Sequence, residues 1–482
     1  MRNRFLLVGL VAAAAAALLP GAAAEVYSLD SCRSMALSSN KEMMVKAEKL
    51  KQARYTRKEA FAAYLPAFDF TGGYFYNQKN LSIFDSDQHL PVGVFNPLTQ
   101  SYEYLPAMNP LTGKPITLPD GTPVPATTAL IPKEAMEFDI HNVFFGAVTL
   151  TQPIFMGGKI VALNKLARIG EEAASELQRN EAQNVIYAVD AAYWTVVSVK
   201  AKHELATSYV NLLDSLTRNV RLMVDQGVAT RSDLLGVEVK LNEAKVDLLK
   251  VENGLSLSRM ALAQICGLPV NTEMNVADEG VKEINPHAEI ATRYDMEQVY
   301  ANRPDLKALE YAAEAAGARK QVALSGMLPN IALIGAYSFS TPNMFDGFKN
   351  RVAGAFSVGV VARVPLWHWG GNYNKYKAAA TNQTIMELQV ADAKEKIELQ
   401  VSQAAFKAQE AVKTYVATES NLDKAAENLR TATIGFREGV LTADDVMGAQ
   451  TAWLKANSEN IDAMIDVQLC DVYLSKVLGT LN

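Results

Sequence analysis

Histidine and cysteine are scarce in this 482-residue chain, with five and three copies respectively. The cysteines, Cys32, Cys266 and Cys470, are odd in number and far apart, which argues against a disulfide framework or a metal knuckle. They read instead as small buried helix residues. A lipoprotein reading of Leu29-Asp-Ser-Cys32 is weak, because the apolar run ends ten residues earlier and Asp30 sits inside the would-be box. His89, His141, His203, His287 and His368 are scattered, and no His-x-x-x-His, Cys-x-x-Cys, P-loop or Gly-x-Ser-x-Gly is present. Nothing in the chain argues for catalysis, a cofactor or a bound metal. Long apolar runs are also missing after Ala24, so no helix is expected to cross a bilayer. Basic residues do not exceed acidic ones, 46 against 52, which disfavours nucleic acid as a partner.

What is present begins with a basic start (Met1-Arg-Asn-Arg4), a short apolar stretch from Phe5 to Leu19, and Pro20-Gly-Ala-Ala-Ala24. This is the pattern of a secretory signal peptide, residues 1–24. Without Arg2 and Arg4 the side chains carry 44 basic against 52 acidic groups, a net −8. An exported chain without an apolar helix is periplasmic, secreted, or held in an outer membrane by a β-barrel.

The chain repeats itself. Leu65-Pro66-Ala-Phe-Asp-Phe-Thr-Gly-Gly-Tyr74 is similar to Leu328-Pro329-Asn-Ile-Ala-Leu-Ile-Gly-Ala-Tyr337, an offset of 263. Gln152-Pro153-Ile-Phe-Met-Gly-Gly158 pairs with Val364-Pro365-Leu-Trp-His-Trp-Gly-Gly371, and Gly227-Val-Ala-Thr-Arg-Ser-Asp233 with Gly439-Val-Leu-Thr-Ala-Asp-Asp445, both starting at an offset of 212. A duplication with one insertion of 51 residues (263 − 212) accounts for both values.

Lys159 to Gln226 and Asn372 to Glu438 each lack proline and hold a single glycine. Each predicts one helix roughly 100 Å long at about 1.5 Å per residue. Val185, Val189, Ala192, Val196, Val199, His203, Ala206, Val210 and Leu213 alternate steps of four and three. The series from Ile397 through Val401, Ala404, Ala408, Ala411 and Tyr415 to Phe436 does the same, as a coiled-coil seam requires. Amphipathic helices precede (about 42–64 and 305–326) and follow (about 232–265 and 444–478) the long ones.

Strand-like patches fall at about 67–76, 138–151, 330–340 and 350–364. Val352, Gly354, Phe356, Val358, Val360, Ala362 and Val364 make one continuously nonpolar face. Each patch is near the length of a tilted membrane strand, although alternation alone favours a soluble four-stranded sheet. Four strands cannot enclose a lumen; three chains supply twelve. Residues 77–137 hold nine of the 18 prolines. That density is expected to block helix and ladder alike, giving a long loop.

Two halves of this kind resemble the TolC family of outer-membrane efflux proteins, the outer membrane factors. The likeness rests on Arg303-Pro-Asp-Leu306, on Leu65-Pro66 and Leu328-Pro329 entering strands, on Gln152-Pro153 and Val364-Pro365 leaving them, on the Gly-Gly pairs and on the two Gly-Val-x-Thr-x-x-Asp turns. It covers essentially the whole mature chain. It implies a mainly α fold with a membrane β-barrel: duplicated helix-strand-strand-helix halves forming, as a homotrimer, a 12-stranded barrel continued by a periplasmic α-helical barrel. The first repeat is then 25–267, with extracellular loop 77–137 and long hairpin 159–265. An equatorial segment follows at 268–302, and the second repeat is 303–482 with long hairpin 372–478.

The resemblance further implies the outer membrane of a Gram-negative bacterium and a passive duct of a tripartite export system. Its partners would be outer-membrane lipid, a periplasmic adaptor (membrane fusion protein) and an inner-membrane transporter. Adaptor-contact tips would be Gly227, Val228, Thr230, Gly439, Val440, Leu441 and Thr442. An acidic periplasmic aperture would comprise Asp233, Asp445 and Asp444. Leu441 and Gly448 stand where the best-studied aperture of the family has an arginine and an aspartate, so that lock does not carry over to this chain, and Arg231 on the first hairpin is the candidate substitute. Pro153, Phe155, Pro365, Trp367 and Trp369 would mark the strand–helix junction, where the two prolines end the ladder. The competing reading is a periplasmic coiled-coil scaffold or adaptor without a pore.

Overall fold

The computed structural model describes residues 26–280, 293–347 and 349–481. The signal-peptide segment, His287 and much of the equatorial segment lie outside the described residues. In chain order the elements are β1 (Val26–Tyr27), α1 (Leu29–Ser39), α2 (Lys41–Ala62), β2 (Ala67–Tyr76), β3 (Leu81–Ser82), β4 (Gln88–Pro91), β5 (Val94–Asn96), β6 (Ser101–Glu103), β7 (Thr128–Ile131), β8 (Glu137–Phe138), β9 (Asn142–Met156), α3 (Lys159–Asp225), α4 (Arg231–Ile265), β10 (Asn275–Val276), α5 (Met296–Asn302), α6 (Pro304–Ser325), β11 (Asn330–Thr341), β12 (Ala353–Arg363), α7 (Gly371–Arg437) and α8 (Ala443–Val477). They form a helical unit (up to Glu59, Ala162–Lys320 and from Lys375) and a sheet unit (Ala60–Val161 and Gln321–Asn374).

In the helical unit the two proline-free runs are single helices of 67 residues, α3 and α7. The small-residue seam of α7 is its buried stripe: Ile397, Val401, Ala404, Ala408, Ala411, Tyr415, Ala432 and Phe436 are all buried. On α3 the expected seam is joined by a second buried stripe, Ile186, Asp190, Tyr193 and Val197, so this helix packs on two sides. Asp190 is fully buried and is met by Arg33 of α1, whose Nε and Nη2 donate to its two carboxylate oxygens at 2.7 and 2.6 Å.

The duplication is repeated in contacts. Asn40 donates to the carbonyl of Ile265 at 3.0 Å, and Arg303 to that of Val477 at 3.2 Å. Gly267, at φ +76°, lies against Ser39, and Gly479, at φ +74°, against Asn302. Both pairs of contacts keep the offsets read from the sequence. The Arg-Pro-Asp-Leu motif therefore locks the start of α6 to the end of α8, with Arg303 also bonded to Gln400 and Leu306 buried. The sequence reading missed β1, which pairs with β10 in parallel, and the short helices α1 and α5.

In the sheet unit the strand order is β12-β11-β9-β2, antiparallel throughout. Strand β9 runs later than expected and continues through Pro153, which faces Ala332. Pro153 does not end the ladder. The register shifts there, leaving Ile154 as an extra residue, and a proline without an N–H is accommodated at such a bulge. The chain turns instead at Gly157 and Gly158, both at positive φ. Pro365 does lie beyond the last residue of β12.

Residues 77–137 are not an irregular loop. They fold into nested antiparallel pairs, β3 with β8, β4 with β7 and β5 with β6, followed by bridges at Pro106–Pro125, Met108–Pro115 and Thr117–Pro123. The expectation that proline blocks a ladder fails for a specific reason. Around the first bridge the N–H groups of Ala107 and Ala126 donate to Val124 and Leu105, and around the others those of Ile116, Leu118 and Val124 do the donating. The bridged prolines thus occupy non-hydrogen-bonded positions, where no donor is needed.

Candidate functional site

Cross-strand register sorts the sheet into two chemically different faces. One carries the rows Phe68–Leu150–Gly335–Val358, Phe70–Val148–Tyr337–Phe356 and Gly72–Gly146–Phe339–Gly354. The other carries Asp69–Thr149–Ala336–Ser357 and Thr71–Ala147–Ser338–Ala355. In these rows the first face is apolar but for the Tyr337 hydroxyl, Gln152 follows on the same face beside Leu333 and Val360, and its edge residues are open, with Phe356 80% and Phe68 67% exposed. The three glycines of its third row each make room for a different ring: Gly72 for Phe70, Gly146 for Phe339 and Gly354 for Tyr337. A Cβ on Gly146 would come within 2.4 Å of Phe339. That glycine row was not recognised in the sequence; the signal was glycine recurring at matched register, visible only once the strands are aligned.

Among the described residues the two outer strands, β2 and β12, keep one hydrogen-bonding edge each without a partner strand. Just past β12, Trp367 and Trp369 meet edge to face with centroids 5.9 Å apart and are 72% and 88% exposed. Phe155, near the end of β9, is 44% exposed.

The second region is the paired turn at the far end of the long helices. Gly227 and Gly439 both sit at φ +75° with nothing within 4 Å of a Cβ position, so the left-handed cap alone demands glycine. Val228 donates to Met223 at 2.9 Å and Val440 to Gly435 at 2.8 Å, closing both helices. Thr230 and Asp233 then form a reciprocal capping box opening α4, and Thr442 and Asp445 one opening α8. Leu441 folds back over Gly435, where a Cβ would approach its side chain to 2.8 Å. Val220, Val237, Phe436 and Val446 join the two hairpins in one small core.

Asp233 therefore lies in the exposed first turn of α4, which Arg231 opens, and Asp444 and Asp445 in that of α8. The backbone N–H of Thr230 holds the Asp233 carboxyl below its ordinary range, and the Thr442 hydroxyl and N–H do so for Asp445. Both groups are charged at neutral pH. Among the described residues no group of histidine, cysteine and carboxylate side chains is arranged to hold a metal ion.

An antiparallel sheet with one lipid-compatible face, in a chain that also carries paired helices of 67 residues, is the architecture of outer-membrane channels with a helical periplasmic part. The chain belongs to the outer membrane efflux protein family, whose model matches residues 139–268 and 296–480. It is 23% identical over 312 residues to the outer membrane efflux protein BepC of Brucella suis, a match spanning 64% of this chain and 66% of that one. Its fold matches the outer-membrane channel OprN with a TM-score of 0.72 at 15% identity, over 94% of this chain and 90% of that one. It also matches the Neisseria gonorrhoeae outer membrane channel MtrE with a TM-score of 0.69 at 17% identity, over 94% and 89%. Family and fold are those of channels rather than enzymes, and they favour an outer-membrane channel reaching into the periplasm over a scaffold without a pore.

Proposed function

We propose that three copies of this chain close their sheets, β12 of one against β2 of the next, into a twelve-stranded barrel that acts as a passive export duct. The observation that carries this reading is the division of the sheet into a mainly apolar face and a face of mainly small and hydroxyl residues, with an edge on either side that no strand among the described residues covers. Lipid suits the first face and a water-filled lumen the second. Trp367, Trp369 and Phe155 then belong to an aromatic girdle at the inner membrane surface. A periplasmic adaptor docks on the turns at Gly227–Thr230 and Gly439–Thr442 and delivers cargo from an inner-membrane transporter. No step of this role calls on a catalytic group.

In this assembly Asp233, Asp444 and Asp445 recur threefold around the periplasmic mouth and favour cations there. The nested arm at 77–137, which leaves the sheet at the Tyr76–Asn142 end, lies outside the cell. The deciding experiment is mass measurement in detergent combined with conductance in planar bilayers. Three chains per particle and a cation-preferring pore are expected. A mature protein that stays monomeric and soluble without detergent would sink the duct in favour of the scaffold.

A further inference from the structure

The end of α4 is pressed against α1 by contacts on both sides of Cys266. On one side the Ile265 carbonyl accepts from Asn40 at 3.0 Å. On the other, Gly267 approaches Ser39 so closely that a Cβ would stand 2.7 Å from its carbonyl oxygen. Between them, the Sγ of Cys266 donates to the Cys32 carbonyl at 3.7 Å. Both cysteines are fully buried in the same core. The duplication supplies an internal control. The second repeat makes the same two flanking contacts, at Val477 and Gly479, and carries Asp295 and Leu478 where the first has Cys32 and Cys266. Docking of these elements therefore does not require cysteine at either position.

We propose that Cys32 and Cys266 are joined by a disulfide in the exported protein, stapling the N-terminal helix to the end of the first hairpin. An outer-membrane protein passes through the periplasm, where thiols meet an oxidising pool of protein disulfides. One of the two thiolates attacks a disulfide-bearing donor and expels one donor thiolate. The other thiolate then attacks that cysteine sulfur and expels the second. The donor gains two electrons and the two protons, and the chain gains one S–S bond. A hydrogen bond from Cys266 holds the Cys32 thiol below its ordinary range, while that contact and burial push Cys266 up. These shifts belong to the docked helices and do not set which thiol reacts first. Because both sulfurs are buried, exchange takes place before α1 docks, and the finished bond is shielded from reductant. Cys470, on α8, takes no part.

The test uses the full-length protein isolated from the outer membrane, acid-quenched, denatured and alkylated with N-ethylmaleimide without reductant. The expected result is modification of Cys470 alone and a linked peptide pair containing Cys32 and Cys266. Reductant should release that link only when denaturant is present. Alkylation of all three thiols, or a link between other cysteines, overturns the proposal. Release by reductant at the same rate with and without denaturant overturns the shielding. Protein confirmed in the outer membrane with all its thiols free would refute the staple and leave the duct standing.

Discussion

Asp190 loses all contact with water, and Arg33, one-quarter exposed, supplies its charge and two hydrogen bonds. Removing one partner of such a pair strands a buried charge. Arg33→Met is expected to destabilise the helical unit by roughly 3–5 kcal/mol. Adding Asp190→Leu should recover most of that loss, as denaturant titration of the two variants would show; no recovery would contradict the pair. At the turns, Asp233 and Asp445 have folded values depressed below the ordinary 3.8. A depressed carboxyl contributes stability that is present above its unfolded value and is lost as pH falls through its folded value. The caps should therefore hold across neutral and mildly acidic pH and fray only below 3.8. Hydrogen exchange at Thr230 and Thr442 would register this, and fraying near neutrality would contradict it. For the aperture, Asp→Asn is a cleaner change than Asp→Ala. It removes the charge and keeps an acceptor for the cap.

At the scale of elements, the arm at 77–137 makes a prediction that turns on which residue donates. Ala107→Pro deletes the bond to Val124 and collides with the ladder, whereas Pro106→Ala leaves every donor of the ladder in place. The first should open the arm to protease and the second should not; equal protection in both would refute the register. This arm also marks the limit of what the sequence discloses. The long helices, their seams and the capping turns were legible because each follows from local periodicity or from one residue type, as with Gly227 and Thr230. The arm was not, because proline frequency carries no information on which side of a ladder each ring sits. Strand β9 was misjudged for a related reason. Pro153 ends a strand by propensity, but a bulge at Ile154, set by the facing strand β11, carries the ladder past it. The turn acids were likewise found in the sequence, while the packing of Leu441 over Gly435 depends on the fold of the turn.

For the whole molecule, the two faces of the sheet assign opposite tolerances to adjacent residues. Phe356→Lys puts a charge on the apolar face and is expected to cost about 2–4 kcal/mol if it lies near mid-membrane. Ser357→Lys lies on the opposite face, which in the proposed barrel borders water, and should leave assembly intact. Heat-resistant trimer on a gel reads the difference, and equal loss in both variants would contradict the assignment of faces. The open edges have a consequence of a genetic kind. Strands β2 and β12 differ in sequence, and the seam between neighbours joins one of each, so a ring contains as many seams as subunits. A proline placed where the outer edge of β12 must donate spoils one seam of every ring its subunit enters. Expressed at equal level beside an intact copy, such an allele leaves about one ring in eight free of damage under random mixing. It should therefore behave as dominant, whereas an allele that only prevents export should be recessive. The yield of heat-resistant trimer from a strain carrying both copies would separate the two patterns without purification of the protein.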